Sequence, residues 1–196
     1  MTKIIAFSGR KGHGKDTAVS VLKELKGNTA IGELIIAEFS FASILKEIAC
    51  DSLKMDQETG ELIKRREDLK FINGNTYREY LNTLGDAIKS RFGFGIWAEM
   101  ITKDINTAIQ AVKPEYVLIN DLRYPVEEAH LRKYAEDNTD VELTVVKMIR
   151  TGVNQEENEH ESESLIDEIK PDLTIEAQNL EELRQAISLA IYKKEL

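Results

Sequence analysis

The chain has 196 residues, 42% hydrophobic and 31% charged, with a net charge of −9. That suits one domain spanning residues 1–196 with a sizeable core, and it excludes bulk attraction to nucleic acid polymers or anionic membranes. The lone Cys50 excludes an internal disulfide and a cysteine-based zinc site. No apolar run approaches the ~20 residues that span a bilayer, and the N-terminus lacks a signal-like segment. A cytoplasmic protein is expected, and any phosphate chemistry must rely on local clusters of Arg and Lys.

The first element is the apolar run Ile4-Ile5-Ala6-Phe7, a strand. The stretch Ser8–Thr17 follows, and Ala18–Leu22 has helical character. Strand, glycine-rich turn and helix form the arrangement that a phosphate-cradling loop requires. Glycines allow successive amides to converge on one anion. The positive end of the next helix faces the same point, and Lys15 adds a mobile cation. Gly9 and Gly14-Lys15 satisfy the Walker A spacing, but the Ser or Thr that should follow the lysine is Asp16, with Thr17 one place later. One residue is about 100° of helical rotation, so Thr17 cannot simply replace the missing hydroxyl. Asp16 can serve Mg²⁺ through a coordinated water. The plainer alternative is an ordinary first-turn acid.

Further on, Leu34–Phe39 reads as a second strand and Ala42–Leu53 as a helix with Ile44, Leu45, Ile48 and Ala49 on its apolar stripe. Residues 54–70 are polar and read as a connection outside the core. Thr76 with Glu79 forms a capping box that starts a helix running to Phe92. Gly93 and Gly95 interrupt it, and Ile96–Val112 is the next helix. Glu115–Asp121 is a buried strand delivering a carboxylate at its end, Pro125 opens a helix carrying Ala129, Leu131 and Tyr134, and Val141–Ile149 is another strand. Residues 150–163 are strongly polar; Leu173–Ile175 is a short last strand and Leu180–Ile191 a closing amphipathic helix. Strands alternate with helices throughout, so the fold class is α/β with a mainly parallel sheet.

Ligands of such a sheet gather at the C-terminal edge of the strands. That rule gathers the loop, Ser40-Phe41, Asp121, Arg123 and Arg150 around one crevice. Lys46, Arg78, Arg91 and Arg123 form a second set of cations suited to an anionic acceptor, which favours a kinase of phosphorylated small molecules over a simple ATPase. Asp121 reads either as a Walker B-like carboxylate or as a cap on the following turn. Trp97 is either a wall against a base or core. His160 lies among Glu159, Glu161 and Glu163, and a solvated acidic loop is favoured there over a metal site.

Gly9–Thr17, Tyr77-Arg78 through Leu84-Gly85, Arg91, Gly95-Ile96-Trp97, Asn120-Asp121-Leu122-Arg123-Tyr124-Pro125-Val126-Glu127 and His160-Glu161-Ser162-Glu163 together resemble the bacteriophage-type deoxynucleoside monophosphate kinases, in the expected order. The shared Gly-Lys-Asp signature also occurs in animal-type phosphomevalonate kinases. The resemblance implies a P-loop kinase fold with a five-stranded parallel sheet in the order 2-3-1-4-5. It also implies a helical acceptor-binding region near residues 54–112 and a lid near 150–165. Gly12, His13, Gly14, Lys15, Asp16 and Thr17 would hold the ATP phosphates and Mg²⁺, with Asp16 and Thr17 on the metal side. Lys46, Arg78, Gly85, Arg91, Trp97, Asp121, Arg123 and Glu127 would line the acceptor site. Lys15, Asp121, Arg123 and Arg150 would act on the transferring group. The implied partners are ATP and a deoxynucleoside monophosphate, and homodimerisation is left open. Asn82 and the pair Gly85-Asp86 depart from the family's usual residues, so base preference is not carried over.

Overall fold

The computed structural model describes residues 1–27, 34–66, 68–70, 72–152 and 165–196. Five strands form one parallel sheet: β1 (Thr2–Ser8), β2 (Ile36–Phe39), β3 (Tyr116–Leu122), β4 (Val141–Arg150) and β5 (Leu173–Ala177), in the order β2-β3-β1-β4-β5. This is the order that the family resemblance implies. β1 and β3, central in the sheet, are nearly continuous apolar runs, as expected of strands covered on both faces.

Alternate residues of these strands feed two cores. Ile4, Ala6, Val117 and Ile119 face one side, where they meet Phe41, Ile44, Ala98, Ile101 and Leu131. Those partners come from the helices α2 (Phe41–Leu53), α5 (Ile96–Val112) and α6 (Pro125–Asp137). Ile5, Phe7, Leu118 and Val146 face the other side. There they meet α1 (Lys15–Gly27) and the closing helix α7 (Leu180–Tyr192) through Ala18, Leu22, Leu183 and Ile187. Layers of helix, sheet and helix result, and no described helix is long and apolar enough to cross a membrane.

The expected capping box is present: Glu79 N–H donates to Thr76 Oγ1 at 3.2 Å and Thr76 N–H to Glu79 Oε2 at 2.7 Å. It opens α4 (Tyr77–Phe92), which ends at Gly93 with φ 88°. Two expectations are corrected. The polar connection of residues 54–70 contains a helix, α3 (Gln57–Lys64), capped by Asp56. Its Gly60 is buried because a Cβ there would sit 2.8 Å from Cys50 Sγ and 3.2 Å from the Tyr77 hydroxyl. α3 therefore seals the small third core of Ala49, Cys50, Tyr77 and Leu81. On α6, Ala129 is exposed, so its apolar stripe is narrower than expected. The lid segment falls mostly on residues 153–164, outside the described residues, as do His160 and the acids around it.

Candidate functional site

The loop between β1 and α1 is shaped by three glycines with positive φ, at 149° for Gly9 and 81° for Gly12 and Gly14. At Gly9 the chain also passes so close to β4 that a Cβ would lie 2.6 Å from the Met148 carbonyl oxygen, which no other residue tolerates. α1 begins at Lys15, and the amides of its first turn have no acceptor within the helix. Residues 9–17 thus present a concave end of backbone at the carboxyl edge of β1, the place where an anion is held best.

Lys15 is 9% exposed, and its ammonium donates to the carbonyls of Gly9 at 2.5 Å and Arg10 at 2.9 Å. The cation expected to be mobile is therefore folded back onto the loop's own carbonyls. Arg10 ties the loop to the short 3₁₀ turn Ile166–Glu168, its guanidinium lying 2.9 Å from an Asp167 oxygen whose partner atom accepts from Lys147 at 2.8 Å. The Lys147 and Arg10 bonds together hold the Asp167 carboxyl below the usual range.

Asp16 and Thr17 diverge, as one step of helix requires. Asp16 turns toward β3, where its Oδ1 accepts from Asn120 Nδ2 at 2.7 Å. Thr17 instead lines a cleft on the far side of the loop with His13, Gly14, Arg150, Gln178 and Leu180. His13 is held there through Nδ1, 3.1 Å from the Met148 carbonyl oxygen. This cleft lies between the loop, the end of β4 and the turn into α7, beside the phosphate loop.

A second group of charges lies on the other flank. Burial pushes the Lys64 ammonium's pKa down, and the positive charges of Lys46, Arg78 and Arg123 push it further the same way, against Glu61. Lys64, at the end of α3, thus lies within electrostatic reach of Lys46 on α2, Arg78 on α4 and Arg123 just beyond β3. Glu61 occupies part of the group, 2.7 Å from Lys46 Nζ. Lys46, Arg78 and Arg123 were expected in an acceptor site; Lys64 was not, because the helix that carries it was not recognised. Arg91 is not brought to the group: thirteen residues of α4 separate it from Arg78, or about 20 Å.

The remaining candidates have structural partners. Both oxygens of Asp121 are engaged by the start of α2. Oδ1 accepts from Phe41 N–H at 2.9 Å, and Oδ2 from Ala42 N–H at 2.9 Å and the Ser40 hydroxyl at 2.7 Å. Asp121 thus caps a helix, though across the sheet and not on the following turn. Glu127, 2% exposed, accepts from the backbone N–H groups of Arg123 and Tyr124, both at 3.0 Å, and burial pushes its pKa up to about 8. It fixes the backbone from which Arg123 projects. Trp97, 7% exposed, sits in the core below α5. Gly85 allows α4 to approach Leu45, whose Cδ2 would lie 3.1 Å from an added Cβ. The aromatic surface near Arg123 comes from Phe94 and Tyr124 instead, whose ring centres are 6.3 Å apart with Lys89 Nζ over both rings.

Among the described residues no three His, Cys, Asp or Glu side chains gather as a metal cage. The donor set fits Mg²⁺ held chiefly by phosphate oxygens and waters, with Asp16 as the adjoining carboxylate. Asn120 Nδ2 holds Asp16 in that place, and Asn120 Oδ1 is buried with no hydrogen-bond partner among the described residues.

No family model matches the chain, and no curated protein matches it. Solved structures with which it shares a likeness include APS kinase CysC from Mycobacterium tuberculosis, 14% identical with a TM-score of 0.48, covering 97% of each chain. A Janibacter sugar kinase is 12% identical, with a TM-score of 0.49, over 99% of this chain and 95% of that one. Shikimate kinase from Bacteroides thetaiotaomicron is 11% identical, with a TM-score of 0.42, over 100% and 99%. The fold itself is read from this chain's own strand order and loop: an α/β sheet of the P-loop kinase type.

Proposed function

We propose that this protein is an ATP-dependent kinase of deoxynucleoside monophosphates, converting them to diphosphates for DNA precursor supply. One observation carries the reading. An anion-binding loop at the end of β1 and a four-cation group beside the end of β3 flank neighbouring strands of one sheet edge. Transfer between two anions needs charge on both sides of the gap, and little else from the protein.

The loop amides of residues 9–17 bind the donor phosphates, and the ammonium of Lys15 swings from the Gly9 and Arg10 carbonyls to the β- and γ-oxygens. The donor base lies in the cleft of His13, Thr17 and Gln178, which Arg150 also lines. Arg123, Arg78, Lys46 and Lys64 hold the acceptor phosphate, Glu61 yielding Lys46 to it. Phe94 and Tyr124 offer the exposed aromatic surface for the acceptor's base, a role that the burial of Trp97 makes unsuitable for that residue. Asp121 and Glu127 act by holding α2 and the Arg123 backbone in place. When bound, Mg²⁺ supplies charge neutralisation on the β- and γ-phosphates, with Asp16 beside it and Thr17 on the donor-cleft side. No general base is needed, because the attacking phosphate oxygen is already ionised near neutral pH.

The test is a coupled ADP assay with Mg·ATP and a panel of the four deoxynucleoside monophosphates, their ribo-counterparts and phosphomevalonate. Acceleration by at least one deoxynucleoside monophosphate above the no-acceptor rate is expected. Acceleration by phosphomevalonate alone would replace the acceptor class, and none by any acceptor would reduce the protein to a nucleotide-binding module.

A further inference from the structure

Adjacent residues of β3 point to opposite faces of the sheet. Ile119 and Asp121 face the side of α2 and α5, while Leu118 and Asn120 face the side of α1. The side chain that β3 turns toward the phosphate loop is therefore Asn120, and the acid next to it is turned away to cap α2. In the usual arrangement of a P-loop nucleotide-binding protein the loop helix supplies a hydroxyl to the metal and a strand supplies a carboxylate. Here the helix carries the carboxylate, Asp16, and the strand carries a neutral amide that donates to it at 2.7 Å.

We propose that Asn120 is a positioning residue for the metal side of the donor site. Its amide N–H holds one oxygen of Asp16 and leaves the other, on an exposed side chain, for the water shell of the nucleotide-bound Mg²⁺. The two residues thus exchange the usual chemistry between helix and strand. The exchange accounts for both halves of the departure: a second carboxylate on β3 would face Asp16 at hydrogen-bond distance, with no proton between them and like charges opposed. A hydroxyl at residue 16 would leave Asn120 without a charged acceptor.

This inference rests on the loop binding a nucleotide's phosphates, so the experiment separates the two. AMP-PNP is titrated calorimetrically into the full chain in Mg²⁺ and in EDTA. The readout is the factor by which the metal tightens binding, with circular dichroism and thermal melts confirming the fold. Removing a group that orients a metal-side ligand costs about 10- to 100-fold in metal affinity. A loss of that size in the Mg²⁺-dependent factor is therefore expected for Asn120→Ala and Asn120→Asp, with affinity in EDTA little changed. The reciprocal pair Asn120→Asp with Asp16→Thr, which restores the usual arrangement, is expected to recover most of the factor. An unchanged factor in Asn120→Ala, together with a reciprocal pair no better than Asn120→Asp alone, would overturn the role of Asn120. Absence of Mg²⁺-dependent AMP-PNP binding by the unaltered protein would overturn the donor-loop reading, and the inference with it.

Discussion

Asp121 Oδ1 accepts a hydrogen bond from the backbone N–H of Phe41 at 2.9 Å, eighty residues away in the chain. With Ser40 and Ala42 on the other oxygen, one carboxylate satisfies the exposed start of α2 and holds that helix against the sheet edge. α2 carries Lys46, so the bond reaches the acceptor side as well as the core. Asp121→Ala should cost about 1–3 kcal/mol of stability, the usual penalty for losing a charged cap. It should also raise the KM for the acceptor more than that for ATP. Chemical denaturation and two-substrate kinetics check both; a stable variant whose defect is confined to kcat would return Asp121 to direct catalysis.

Lys15 donates to the Gly9 and Arg10 carbonyls of the loop, and its substitution should register in both stability and activity. Lys15→Ala should abolish detectable transfer. It should also lower Tm by about 4–8 °C, two hydrogen bonds at roughly 1 kcal/mol each in a chain of this size. Differential scanning calorimetry beside the ADP assay measures both. Retention of near-full activity would remove the lysine from the donor site.

The four-cation group predicts a division between the substrates. Lys64→Gln and Arg123→Ala should raise the acceptor KM by about tenfold or more, the scale of a charged hydrogen bond, and leave the KM for ATP within about twofold. Equal effects on both substrates would dissolve the acceptor assignment.

Glu127 gives a pH dependence of reversed sign for a carboxylate. Burial, aided by the nearby Asp121 charge, raises its pKa from 4.5 to about 8 despite the two backbone donors and Arg123. Between those values the folded protein retains a proton that the unfolded chain has lost. This contribution to stability is therefore full in acid, falls as pH rises through the window and levels off above about pH 8. Urea denaturation from pH 5 to 8.5 should show the slope in the unaltered protein, and Glu127→Gln should flatten it. Parallel profiles in the two proteins would contradict the assignment.

Much of the fold was legible in the sequence because its signals are local. Thr76 and Glu79 lie three residues apart and cap α4 whatever the rest of the chain does, and Gly93 and Gly95 end one helix and begin the next. The phosphate loop is local too, down to the divergence of Asp16 from Thr17. What was not legible depends on contacts distant in sequence. α3 is short and polar, and its Gly60 is explained only by Cys50 and Tyr77, so Lys64 escaped notice with it. Alternation along β3 separates Asn120 from Asp121, but says nothing of which helix covers which face. Alternation alone therefore leaves Asp121 open between a Walker B-like carboxylate and a cap on the following turn, whereas it is tied to α2 and the amide beside it faces Asp16. Trp97 failed as a base wall for a similar reason: an aromatic side chain near a glycine break is compatible with core or surface, and packing under α5 decides for the core.

The most direct test of phosphoryl transfer across this sheet edge is to follow the γ-phosphate itself. The protein is incubated with γ-labelled ATP, Mg²⁺ and each deoxynucleoside monophosphate, and the products are separated. Label appearing in a deoxynucleoside diphosphate, and lost in Lys15→Ala and Arg123→Ala, is the predicted result. Label remaining in ATP or released only as inorganic phosphate, whatever the acceptor, would contradict it.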